Sequence, residues 1–252
     1  MQKPVWRSPS PETSLLPGSV DVWRAIVDVP QSHLQVYWTL LSPEEQNRAH
    51  RFKFARHRHR FIAAHGILRM ILSRYLNQPP QALIFQSSSL GKPFLQVPPH
   101  LPPLEFNLAH SHQVAVYAVS ISRQVGIDIE LDRPLLDYHH LASRILNEAE
   151  QRQFFALPPG QHHAAFLAIW TRKEAALKAC GKGLSLPMQR VHVTISPDAP
   201  ARLLALDGQT IADTQWWMQD LFPWPLSRGA LVIAGGPCSI RYWDYSYESM
   251  AS

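Results

Sequence analysis

The chain has 252 residues, 46% hydrophobic and 17% charged, which excludes a disordered polypeptide and allows one or two domains around a sizeable core. Lysine and arginine number 24 against 19 acids, a formal charge of +5, so an anionic partner is expected: nucleic acid, an acidic protein or a phosphorylated small molecule. Two cysteines, Cys180 and Cys238, form neither a disulfide framework nor a metal cluster, and both read as small buried side chains in a reducing cytoplasm. No secretory leader is expected from the polar N-terminus, and no membrane association, because no run reaches the ~18 apolar residues of a span.

Residues 1–18, rich in Pro and Ser and without periodicity, read as a flexible tail. Val22 to Val29 alternates, with Trp23, Ala25, Val27 and Val29 opposite Arg24 and Asp28, and predicts a strand with one polar face. Leu34, Tyr37, Trp38 and Leu41 space a short helix over His33–Leu41. Ser42-Pro-Glu-Glu45 has the form of a capping box with Pro at the first helical position. Arg48 to Arg60 is the most basic run, and Phe61, Ala64, Leu68, Ile71, Leu72 and Tyr75 follow on one apolar face. The two predict a long helix with a cationic entrance. Phenylalanines interleave those charges, but no nucleic-acid motif accompanies them, so a nucleic-acid partner is set aside.

Asn77-Gln-Pro-Pro80 ends that helix. Leu83–Ser87 reads as a strand, and Ser89-Leu-Gly-Lys-Pro93 as a turn presenting Lys92. After a proline-rich loop come Leu104–Ser111 and the apolar strand Val114–Ile121, and Gly126 is expected to turn the chain into a strand bearing Asp128 and Glu130. Helices are expected over Leu135–Leu146, after the cap Asn147-Glu-Ala-Glu150, and over His162–Cys180, the last stopped by Gly181 and Gly183. Strands follow at Val191–Ile195, Arg202–Leu206, Thr214–Met218, Gly229–Ala234 and Ser239–Trp243, and Trp216, Trp217 and Trp224 are read as core. The fold class is α+β, with two halves of similar make-up, 19–123 and 124–252, and no residue-level repeat between them.

On a strand, Asp128 and Glu130 share a face about 6.6 Å apart and repel, which invites a hard cation such as Mg²⁺ or Mn²⁺. Alone that pattern is no more than a polar strand face. Glu174 and Lys178 are neighbours on a helix, one turn beyond Trp170, beside the apolar stripe Phe166, Ile169, Leu177 and Cys180; alone they read as an i,i+4 ion pair. Together the three carboxylates can hold one metal on a pyrophosphate, with Lys178 beside the leaving phosphate and Arg48, Arg60 and Lys92 on further phosphates. No P-loop occurs, so an ordinary nucleotide hydrolase is excluded.

Gly126-Ile-Asp-Ile-Glu130, Trp170-Thr-Arg-Lys-Glu-Ala-Ala-Leu-Lys178 and Gly181-Lys-Gly-Leu-Ser-Leu-Pro187 resemble the 4′-phosphopantetheinyl transferases, as do Gly91-Lys-Pro93 and Phe106-Asn-Leu-Ala-His-Ser111 upstream. The likeness, closest to the long, monomeric surfactin-synthetase type, runs from about residue 42 to 187. It implies Mg²⁺-dependent transfer of the phosphopantetheine arm of coenzyme A to a serine of an acidic acyl or peptidyl carrier protein, releasing adenosine 3′,5′-bisphosphate. It also implies a monomeric pseudodimer with the active site in the cleft between its halves. By position, Asp128, Glu130 and Glu174 would hold the metal, and Glu174 would serve as base toward the serine. Lys178 would assist the leaving nucleotide, while Arg48, Arg60, Lys92 and His110 would contact coenzyme A phosphates. Two positions depart from the pattern: Ala109, where relatives often carry Ser, and Phe61, where a small polar residue is common. A Mg²⁺-dependent pyrophosphohydrolase or nuclease using the same carboxylates is the alternative.

Overall fold

A computed structural model describes residues 4–10, 13–98, 101–133 and 138–250. Its first segments are β1 (Ser19–Ile26), α1 (Gln31–Leu40), α2 (Pro43–His50), α3 (Ala55–Leu76), β2 (Ile84–Ser87) and β3 (Pro93–Gln96). Then come β4 (Leu104–Ser111), β5 (Val114–Ile121), β6 (Val125–Leu131), α4 (Tyr138–Ile145), α5 (Glu148–Phe155) and α6 (His162–Cys180). The chain ends in strands β7 (Val191–Val193), β8 (Leu203–Leu206), β9 (Gln209–Thr210), β10 (Trp216–Leu221), β11 (Ser227–Ala234) and β12 (Ser239–Tyr245). Residues 135–137 of one expected helix lie outside the described residues.

This mixed α/β chain builds two principal sheets, in strand orders β12-β1-β5-β4 and β10-β11-β6. Alternation explains how they stack. Trp23, Ala25, Tyr117 and Val119 face α1 and α3, whereas Val20, Val22, Val116 and Ala118 meet Val125, Ile127, Ile129, Leu231 and Ile233 of the second sheet. The opposite face of that sheet, with Met218, Ala230 and Val232, packs on α6. The order is helices, sheet, sheet, helices. β1 is therefore buried on both faces, not polar on one as its alternation suggested. Arg24 marks where the second face ends: it pairs with Asp244 at 2.6 Å and stacks over Trp6 at 4.7 Å.

Local chemistry sets most element ends. Ser42 Oγ accepts from Glu45 N–H while Glu45 Oε2 accepts from Ser42 N–H, and Asn147 and Glu150 repeat the arrangement at α5. Asn77 and Gly181 end α3 and α6 in left-handed conformation, at φ 50° and 69°. The basic run differs from expectation: it is not one helix, because residues 51–54 interrupt it between α2 and α3. Gly126 also differs, lying inside β6 rather than at a turn. A Cβ there would sit 2.1 Å from Ala175 O and 2.3 Å from Ala179 N, so its reason is the contact of strand on helix. At the ends of the chain, β12 pairs parallel with β1, and Arg7 bridges to Trp243, laying part of the expected tail against the sheet. Cys180 and Cys238 are half-buried rather than buried, and Trp216, Trp217 and Trp224 are half-buried against the core edges.

Candidate active site

Close packing of β6 on α6 brings the signature residues together. Val125, Ile127 and Ile129 point into the apolar layer between the sheets, which leaves Gly126, Asp128 and Glu130 on the α6 side. From α6, Lys178 Nζ reaches Asp128 Oδ1 at 2.6 Å and Ile127 O at 3.3 Å. The expected Glu174–Lys178 pair is thus not made: Lys178 takes the buried carboxylate across the contact instead. Asp128 is 6% exposed, and its Oδ2 has no hydrogen-bond partner among the described residues. Burial pushes Asp128 up to about 7, opposed by Lys178 and reinforced by the negative charge of Glu174 and Glu130. Burial likewise raises Glu174, against the pull of Lys178.

The three carboxylates lie within one another's fields but do not form a ready-made metal cage. Among the described residues no group of three His, Cys, Asp or Glu side chains converges as an ion site. Asp128 is paired with Lys178, and Glu130 Oε2 accepts from Ser111 Oγ–H at 2.7 Å. The donor chemistry nonetheless suits a hard divalent cation: all-oxygen ligands, mutual repulsion and an unpartnered buried carboxylate oxygen.

Two hollows flank these residues. The larger, about 600 Å³, is lined from one side by Arg48, Phe61, His65, Lys92 and His110 and from the other by Lys178. The smaller, about 130 Å³, has Glu130 in its wall with Arg133, Leu141, Phe166 and Trp170. Of the expected phosphate contacts, Arg48, Lys92 and His110 line the larger groove. Arg48 has no ion pair among the described residues and lies 5.2 Å over the Phe61 ring, which stacks on His65 at 4.1 Å. Desolvation in the groove pushes His110 down, and the positive neighbours His65, Lys178 and Arg60 add to it.

Two of the expected phosphate contacts, Arg60 and Lys92, are both held by partners within the chain. Arg60 is buried and forks onto Asp28 at 2.6 and 2.7 Å. Lys92 lines the larger groove while its Nζ donates to Ala179 O at 2.9 Å and Val125 O at 3.2 Å, anchoring the β2–β3 hairpin to the end of α6. Burial lowers its pKa by stripping water from the charged ammonium. Ala109 does not face the groove at all; it is buried among Val125 and Ile127, so a hydroxyl missing there takes nothing from the groove's side chains.

Sequence reasoning placed Glu45 only in a capping box and overlooked the partners of Arg172 and Lys173. Glu45 bonds Ser42 N–H, Arg69 and His65. Although burial would raise it, the His65 and Ser42 hydrogen bonds and Arg69 bring it down to about 2. Arg172 forks onto Asp220 at 2.9 and 2.6 Å, and Lys173 joins Glu150 at 2.6 Å with Ile145 O and Met188 O at 3.0 Å. A signal existed for Lys173: it falls midway between Ile169 and Leu177 on the apolar stripe, where a lysine needs a buried partner.

A model of the 4′-phosphopantetheinyl transferase superfamily matches residues 124–233, and one of the 4′-phosphopantetheinyl transferase N-terminal region matches residues 28–122. The sequence is 36% identical to the 4′-phosphopantetheinyl transferase HetI of a Nostoc species, over 97% of this chain and 100% of that protein. It is 29% identical to the 4′-phosphopantetheinyl transferase Sfp of Bacillus subtilis, over 71% of this chain and 78% of that one. It is also 29% identical to the L-aminoadipate-semialdehyde dehydrogenase-phosphopantetheinyl transferase of Xenopus laevis, over 65% of this chain and 58% of that one.

Proposed function

This chain belongs to the 4′-phosphopantetheinyl transferase superfamily, and on that premise we propose that it moves the phosphopantetheine arm of coenzyme A to a serine of an apo acyl or peptidyl carrier protein, releasing adenosine 3′,5′-bisphosphate. The observation that carries the reading is the buried Asp128, with Glu130 and Glu174 in its field and Lys178 bonded to it, between a cationic groove and a smaller hollow.

Arg48 and His110 contact the coenzyme A phosphates from the larger groove, and Phe61 supplies an apolar face beside Arg48. Lys178 stabilises charge on the departing nucleotide phosphate. Glu174, raised by burial, accepts the proton of the serine hydroxyl. Asp128, Glu130 and Glu174 would hold Mg²⁺ or Mn²⁺, which when bound neutralises the pyrophosphate and polarises its phosphorus. Lys92, which also lines that groove, and Arg60 are further phosphate contacts, each of which would exchange its present partners for the ligand.

Family models that meet near residue 123 support reading 19–123 and 124–252 as the halves of a pseudodimer whose cleft is this site. One chain lines both walls of the groove, so a monomer suffices. Two unpaired thiols fit the cytoplasm. Among the described residues no helix is long and apolar enough to cross a membrane.

The test is the intact mass of an apo carrier protein incubated with this protein, coenzyme A and Mg²⁺. A gain of one phosphopantetheine, abolished by a chelator, is expected. Consumption of coenzyme A with no gain on any of several carriers points to a pyrophosphohydrolase and overturns the proposal.

A further inference from the structure

β4 and β6 are edge strands of different sheets, and no backbone ladder joins them among the described residues. Two side chains do. Asn107 Oδ1 accepts from Ile127 N–H at 2.9 Å, and Ser111 Oγ accepts from Leu131 N–H at 3.3 Å. Each pin joins positions 20 residues apart, and the pins are four residues apart on both strands, so the strands run side by side in one direction. Asn107 and Ser111 are both buried on one face of β4.

Ser111 does more than pin the seam. Its hydroxyl proton goes to Glu130 Oε2 at 2.7 Å, so its donor and one lone pair are both engaged. That hydroxyl is the one hydrogen-bond partner of the Glu130 carboxylate among the described residues. Glu130 is half-exposed at the smaller hollow, and without Ser111 its carboxylate has no hydrogen bond or ion pair among the described residues to fix its rotamer. Ser111 also follows His110 directly, so the strand that presents a side chain to the larger groove restrains a carboxylate at the other hollow.

We propose that Ser111 is a positioning residue that holds Glu130 in place for the divalent cation. The inference rests on the metal role given to Glu130 above. Partners of this kind fix the orientation of a ligating carboxylate, and losing one weakens metal binding without removing a ligand.

The experiment measures Mn²⁺ binding to the full chain by electron paramagnetic resonance, without coenzyme A or carrier, and coenzyme A binding separately without metal. Ser111→Ala is expected to weaken Mn²⁺ about tenfold, Ser111→Thr to restore it, and both to leave metal-free coenzyme A binding within about twofold of the original chain. Asn107→Ala, which removes the other pin without touching Glu130, is expected to lower the melting temperature but hold Mn²⁺ affinity within about twofold. Unchanged Mn²⁺ affinity in Ser111→Ala overturns the inference. So does equal weakening in Asn107→Ala, which would assign the effect to the seam as a whole. If the unsubstituted chain takes up no Mn²⁺, the metal reading of the site falls and this inference with it, an outcome distinct from the other two.

Discussion

Gly126→Ala tests whether the site depends on how closely β6 lies on α6. A methyl there would meet Ala175 O at 2.1 Å, Ala179 N at 2.3 Å and Ala179 Cα at 2.8 Å. All three are backbone atoms, so no side-chain rotation relieves the clash. Ordinary contact begins at 3.4 Å, which leaves strand and helix about 1.3 Å too close. Overpacking a core costs about 1–3 kcal/mol when side chains can shift, and the upper end is expected where backbone must move. The functional effect is larger, because the Lys178–Asp128 bond of 2.6 Å spans this same contact. A displacement of about 1 Å in a reacting constellation costs on the order of 10²-fold in rate. Urea denaturation should therefore give a loss of about 3 kcal/mol. The carrier mass-gain assay should give about a hundredfold slower transfer by whatever fraction remains folded. Gly160→Ala is the control, since nothing lies within 4 Å of a Cβ there. Gly126→Ala with the stability and rate of the control would refute the argument that this contact sets the site.

Glu174→Gln should slow transfer by about 10²-fold or more while the urea midpoint stays put; an unslowed variant would remove Glu174 from the chemistry. Lys173→Met leaves the Glu150 carboxylate buried without its cation, a loss of about 3–5 kcal/mol, and adding Glu150→Gln, which removes the charge but keeps an oxygen for the α5 cap, should recover part of it. Equal stability of single and double variants in urea would show that the pair is not the cause. The third concerns pH. Asp128 sits near 7 when folded against 3.8 as a free side chain, so the folded protein holds its proton longer than the unfolded chain does. Stability from this group is present below about 4 and lost as pH rises through about 7. Metal-free Asp128→Asn should show a flatter dependence of melting temperature on pH across that window, and a profile parallel to the unsubstituted chain would contradict the assignment.

Local chemistry made much of the frame legible. Ser42 and Asn147 announce their helices because a side-chain oxygen at a helix start has one backbone partner within reach. The bounds of α6 follow from its apolar spacing and Gly181. Asp128 and Glu130 share a face because strand geometry leaves no alternative. Charge partnerships were not legible in the same way. Lys178 has Glu174 one turn away yet takes Asp128, because a buried carboxylate offers a deeper well than one that water also reaches. Arg60 and Lys92 read as free cations, and each is held by groups far along the chain: Asp28 for one, Val125 and Ala179 for the other. The parallel pairing of β12 with β1 joins the ends of the chain and leaves no local trace in either strand's pattern.

The two sides of α6 explain why one helix carries so many charges. Arg172 and Lys173 are fully buried on the side away from the carboxylates, each satisfied by an acid and by backbone carbonyls. Replacing a buried ion pair by apolar residues of similar volume is often neutral, so the charge pairing by itself contributes little net stability; the carbonyls these two side chains satisfy are a further reason for them. An apolar face can slide or rotate against its neighbours at little cost. A fork onto Asp220 and an ammonium shared among Glu150, Ile145 O and Met188 O cannot, because any rotation leaves a buried charge unpaired. Lys178, bonded to Asp128, and Glu174, in the field of Glu130, ride on the same helix, so a rotation that unpaired Arg172 or Lys173 would displace both. In this helix the buried charges resist rotation, and the half-exposed Glu174 and Lys178, one residue and one turn further on, are those to which the proposed chemistry is assigned.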